Sequence, residues 1–236
     1  MDSQHVIIIG GTSGIGLETA RVARQESCRV TVTGRDDTKF DHARGFGLDC
    51  ARLDAGDPQA LAAFFAAQGS FDHLVVCASG AKGGGPFRTL DLADLRAGFD
   101  GKFWPQVNAL QAALPTIRSS GSITLVSAIS SRALQPGTAG LAAINMAIEA
   151  MIPILASELR PLRVNAVAPG VIDTPWWNHV PQTERQKLFD QMGAAVPAGR
   201  VGQPADIAQA IIMLMNNGFM TGTVIDCDGG WKLKAA

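Results

Sequence analysis

A chain of 236 residues, 47% of them hydrophobic, can bury one sizeable core without disulfides or metal, so a single domain is expected. Its formal net charge of −1, with no Lys/Arg run, leaves no electrostatic footprint for nucleic acid or an anionic membrane and points to a small-molecule partner. The cysteines Cys28, Cys50, Cys77 and Cys227 form no CxxC pair and no metal-ligand spacing, which fits reduced thiols in a cytoplasmic protein.

In chain order, apolar or β-branched runs fall at residues 6–9, 29–33, 74–77, 123–126, 164–167 and 224–225. Between them, stretches 15–25, 58–68, 91–118, 138–160 and 204–215 space apolar residues by three and four. The first run is too short for a signal peptide or a membrane span. The alternation predicts an α/β fold: a doubly wound, mostly parallel sheet of Rossmann type. No repeat or linker divides it, so residues 1–236 read as one domain. Pro105 and Pro153 lie inside helical patterns, where each frees the carbonyl four residues back and predicts a kink. Residues 169–197 are the least regular stretch, and Met213, Met215 and Met220 read as core.

After the first run, Gly10, Thr12, Ser13, Gly14, Ile15 and Gly16 form a Gly-rich turn that opens a helix. Such a turn lets a pyrophosphate approach the helix N-terminal N–H groups. An NAD-preferring site places Asp or Glu after the second strand to accept from the ribose 2′-OH, but here Gly34 is followed by Arg35. A guanidinium suits a 2′-phosphate, so NADP(H) is expected in preference to NAD(H).

The glycine pattern resembles the T-G-x-x-x-G-x-G signature of the short-chain dehydrogenase/reductase family, with Ile9 at the Thr position. The likeness runs nearly end to end. Asp54 matches the family's adenine-side Asp, and Ala78-Ser79-Gly80 is a degraded form of its N-N-A-G element. The stretch RVNAVAPGVIDT at 163–174 resembles the segment that meets the nicotinamide half, and so implicates Pro169, Gly170, Val171, Ile172 and Thr174. Matches to R-x-G-x-P, T-G and D-G-G follow at 200–204, 221–222 and 228–230. The resemblance implies an oxidoreductase that assembles as a homodimer or homotetramer through the two long helices.

The family's catalytic groups have no counterpart in this matching. The chain contains no tyrosine, so the Y-x-x-x-K motif cannot exist. Matching residues 143–151 to the family's A-S-K-A-A-L-E-A-L run puts Leu141 at the Tyr position and Asn145 at the Lys position. Ala128 falls at the Ser position, and Lys102 falls at the Asn position. Chemistry that relies on the phenol is therefore lost, and another proton donor is required. The candidates are Lys102, one of Ser130 and Ser131 after the fifth strand, and His179. Trp176 and Trp177 suit the wall of an apolar or aromatic substrate pocket. A nucleotide-binding sensor and a non-redox lyase or cyclase on the same scaffold stand as the alternatives.

Overall fold

The computed structural model describes residues 4–233. In chain order the elements are β1 His5–Ile9, α1 Gly14–Gln25, β2 Arg29–Gly34, α2 Phe40–Arg44, β3 Asp49–Arg52, α3 Pro58–Gln68 and β4 Phe71–Val76. They continue as α4 Leu92–Gly98, α5 Trp104–Ala113, β5 Ile117–Val126, α6 Ala139–Glu158, β6 Arg163–Pro169, α7 Gln182–Ala194, α8 Pro204–Asn216 and β7 Val224–Cys227. The strands form one parallel sheet in the order β3-β2-β1-β4-β5-β6-β7. The order reverses between β1 and β4, and the crevice outside the strand C-termini at that point is where open α/β sheets bind ligands.

Because successive side chains of a strand point to opposite faces, β1 feeds both halves of the core. Ile7 and Ile9 pack with Leu61, Phe65, Ala109 and Ile148 from α3, α5 and α6. Val6 and Ile8 pack with Ala20, Ala23, Ile207 and Ile211 from α1 and α8. Burial on both faces explains why β1 reads as an unbroken apolar run rather than an alternating one. The edge strand β3 is half-exposed and carries Asp49 and Arg52, so it gives no such run. Helix α6 has the length and mean hydropathy, 1.7, of a membrane span. Its Ile144, Ile148 and Ile152 are buried in this fold, and so are its polar Asn145 and Glu149, which makes it a core helix.

Three expectations from the sequence are corrected. The predicted helix 91–118 is three pieces: α4, a π-helical segment Phe99–Phe103, and α5, after which residues 117–118 already belong to β5. Pro105 cannot donate to the Gly101 carbonyl; the helix absorbs this by slipping register in the π segment and restarting with Pro105 in its first turn. The stretch 169–197 contains a regular helix, α7, whose mostly polar composition hid its apolar stripe. Met215 is buried, but Met213 is 44% exposed, so it is not a core residue.

Candidate active site

A cleft of ≈ 1090 Å³ opens along the C-terminal ends of β1, β2, β4, β5 and β6. All fifteen residues expected from the sequence to meet the nucleotide, from Gly10 to Thr174, line it. At its N-terminal end, Gly10 takes φ +76°, and a Cβ there would sit 3.1 Å from the Ala78 backbone nitrogen. A Cβ on Gly16 would lie 2.3 Å from the Gly10 carbonyl oxygen, so the turn closes only with glycine. Ser13 caps α1 with extended backbone and no side-chain hydrogen bond, and the first turn of α1 holds no acidic residue. That cradle fits a pyrophosphate, which would bind the N–H groups at 14–16.

Arg35 is exposed at the mouth of the same cleft and has no ion-pair partner among the described residues. The two acids that follow it are engaged elsewhere. Asp36 accepts from the Thr38 backbone N–H at 3.1 Å and pairs with Lys39 at 3.6 Å, and Asp37 lies 3.9 Å from Arg52. The guanidinium therefore remains available to an anionic group on a ligand. Asp54, at the β3 end, turns one oxygen to the Gly56 N–H at 2.9 Å.

The deep end is built by the π segment, the β5 terminus and α6. Ala128, Leu141, Asn145 and Lys102, the four positions at which the chain departs from the family pattern, all line it. Lys102 is 9% exposed, and its Nζ donates to the Ser127 carbonyl at 2.9 Å. Burial pushes its pKa down to about 8, against the opposing charge of Glu149. The Cys77 thiol, also in the wall, is pushed up to about 12 by burial and is a neutral neighbour.

Three serines follow β5, and their hydrogen bonds separate them. Ser127 Oγ donates to Glu149 at 2.6 Å, and Ser131 Oγ donates to the Ala128 carbonyl at 3.1 Å and to Glu149 at 3.0 Å. Ser130 Oγ instead accepts from Asn145 Nδ2 at 3.0 Å, while the same amide donates to the Leu141 carbonyl at 2.9 Å. Ser130 thus keeps its own hydroxyl hydrogen for a ligand, and it lines the cleft. Sequence reasoning missed Glu149, Arg132 and Gln106. Gln106 Nε2 ties the Ala78 and Val126 carbonyls together at 3.2 and 2.9 Å. The readable signal for Glu149 was a carboxylate one residue after Ile148 in an otherwise apolar helix.

Trp176 and Trp177 line the outer wall. Trp176 Nε1 donates across the cleft mouth to the Gly80 carbonyl at 3.2 Å, and Trp177 Nε1 donates to the Ile172 carbonyl at 3.0 Å. His179 is exposed and lies outside the lining. Its ring stacks on Trp177 with centroids 6.2 Å apart, and its Nδ1 meets the Trp176 carbonyl at 2.9 Å. Of the candidate proton donors, His179 is thus held by the aromatic pair on the outer side of the wall, apart from the lining residues.

The fold and the glycine cradle define a doubly wound α/β protein with a dinucleotide-type cleft at its topological switch point. Residues 10–232 match the family model described as Enoyl-(Acyl carrier protein) reductase, and the chain belongs to the short-chain dehydrogenase/reductase family. It is 30% identical over 245 residues to a cis-4-hydroxycyclohexanecarboxylate dehydrogenase of Sinomonas cyclohexanicum, covering 95% of each chain. It is 29% identical over 260 residues to the short-chain dehydrogenase/reductase ATR9 of Stachybotrys chlorohalonatus, covering 98% of each. Among solved structures, a small-chain dehydrogenase in complex with NADPH is 35% identical, with a TM-score of 0.86 over 98% of this chain and 100% of the other.

Proposed function

We propose that the protein is an NADP(H)-dependent oxidoreductase for a small apolar or aromatic carbonyl or alcohol, with Lys102 handling the proton and Ser130 binding the substrate oxygen. The observation that carries this reading is the buried Lys102 ammonium on the cleft wall, at the end of the sheet that also holds Ser130. The NADPH-bound relative and the unpaired Arg35 support the choice of cofactor. The pyrophosphate would lie on the α1 N-terminus, the 2′-phosphate by Arg35, and the nicotinamide half against residues 169–174. When bound, the reduced cofactor supplies a hydride.

The chain's own groups do the rest. A lysine with a pKa of about 8 is mostly protonated at neutral pH and is a stronger acid than a phenol at ~10. As negative charge develops on the substrate oxygen, the Ser130 hydroxyl donates to it and Lys102 delivers its proton; solvent then recharges the amine. Asn145 keeps Ser130 oriented as a donor by occupying its acceptor side. Trp176 and Trp177 supply apolar wall and exclude water.

The test follows nicotinamide absorbance with NADPH and a panel of alicyclic and aromatic ketones, with the matching alcohols and NADP+ in reverse. Lys102→Met is expected to lower kcat by about 10²–10⁴, and Ser130→Ala by about 10²–10³. Full activity in Lys102→Met would sink the assignment. Tight cofactor binding with no turnover of any panel member would favour the sensor reading, and product without absorbance change would favour a non-redox enzyme.

A further inference from the structure

Glu149 is a buried carboxylate that does not itself line the cleft and has no role so far in the proposed reaction. It is 4% exposed on α6, and it gathers donors from the β5 end and the turn beyond it. Ser127 and Ser131 donate to it, and Arg132 pairs with it. Arg132 also reaches Asp226 at the end of the sheet, and Asp226 pairs with Lys232. The carboxylate therefore fixes the residues on both sides of Ser130 from behind. One residue separates it from the proton donor, because Ser127 gives its hydroxyl to Glu149 and its carbonyl to Lys102.

We propose that Glu149 is a positioning residue for the reaction assigned above: it engages the hydroxyls of Ser127 and Ser131 so that the hydroxyl left to face substrate is that of Ser130, and it sets a negative charge one residue behind the Lys102 ammonium. The inference rests on the reading of Lys102 as proton donor. Burial of a lysine with no countercharge drives the ammonium toward its neutral form, and a fully buried lysine can lose several pH units. The charged and titratable groups facing Lys102 are few. Glu149 comes from α6, and the Cys77 thiol comes from the strand end after β4. Asp100 lies on the π segment itself, exposed at the cleft. Arg132 sits behind Glu149 and offsets part of its charge.

The experiment reads Lys102 directly, without substrate. Protein labelled with 13C at lysine Cε is titrated by NMR, and the Lys102 signal is assigned by its loss in Lys102→Met. In Glu149→Gln the hydrogen bonds from Ser127 and Ser131 keep an acceptor while the charge is gone, so the Lys102 midpoint is expected to fall by about half a pH unit or more. A merely structural role would act the other way, since a loosened turn admits water and moves the midpoint up toward ~10.4. An unchanged or raised midpoint in Glu149→Gln overturns the proposal. Arg132→Met, at a side chain 31% exposed, removes the offsetting cation and is expected to raise the midpoint. A fall or no change there overturns the proposal even if Glu149→Gln does not fold. A wild-type midpoint near ~10.4 would instead strike the proton-donor reading itself.

Discussion

Lys102 and Asn145 carry the two residue types that the family resemblance assigns in the opposite order, a carboxamide at the first position and an ammonium at the second. The exchange leaves one ammonium at the deep end of the cleft but moves it from α6 to the π segment. A phenol placed at position 141 would then face Asn145, which has no charge to lower its pKa. Leu141→Tyr alone is therefore expected to add no turnover, whereas Ala128→Ser, Leu141→Tyr and Asn145→Lys together recover some; the absorbance assay on the ketone panel decides. A gain from Leu141→Tyr alone would show that Lys102 already serves that position. At the other end of the cleft, Arg35→Ala is expected to narrow the preference for NADPH over NADH by about 10-fold or more, measured by calorimetry with both cofactors. Equal wild-type affinities would remove Arg35 from the 2′-phosphate. Lys102 was readable in the sequence as the one ionisable group at a catalytic position. Its surroundings were not, because burial sets its pKa against the charge of Glu149 and its Nζ is held by the Ser127 carbonyl, and these partners come from other parts of the chain.

Among the elements, those that were legible declare themselves locally. Helix α3 begins where Asp57 accepts from the Gln59 and Ala60 N–H groups at 2.9 and 3.0 Å, with Pro58 next. Asp57→Ala is expected to cost about 1 kcal/mol of stability in urea unfolding. The Gly-rich turn is equally local, and its constraint is harder: Gly16→Ala would push a methyl into the Gly10 carbonyl. That variant is expected to lose cofactor affinity by an order of magnitude or more, since the turn must open to admit the methyl; unchanged affinity would show that the turn relaxes freely. The elements that were not legible depend on tertiary context. The strand β3 has one neighbour and a half-exposed surface, and α7 packs only Phe189 and Gly193 fully inward. The π segment arises from a proline whose effect on register, rather than direction, has no signature in apolar spacing.

Across the whole molecule, the sheet buries polar groups that tie stability to pH. His73 is 3% exposed, its Nδ1 meets Ser122 Oγ at 2.8 Å, and burial pushes its pKa down to about 4. The unfolded chain binds the proton near 6.5 and the folded one only near 4, so stability is full above about 6.5 and falls as pH drops between the two values. The loss approaches about 3 kcal/mol below pH 4, and His73→Gln should flatten that part of the profile in thermal unfolding. Assembly is a second property at this scale. Trp104 on α5 and Met146 and Ile154 on α6 are 50%, 42% and 58% exposed. Exposed apolar groups of this size on α5 and the long helix α6 favour a paired state, and sedimentation at micromolar concentration is expected to show a dimer or tetramer. A strictly monomeric species would show that these faces stay wetted.

The absence of tyrosine has an optical consequence as well as a chemical one. With no phenol in the chain, emission excited at about 280 nm, beyond the phenylalanine band, comes from the indoles, and there are four of them. Trp176, Trp177 and Trp231 line the cleft. Their emission overlaps the absorption of a reduced nicotinamide, so a ligand of that kind would quench them by energy transfer and glow in their place. The unlabelled protein would thus report its own occupancy.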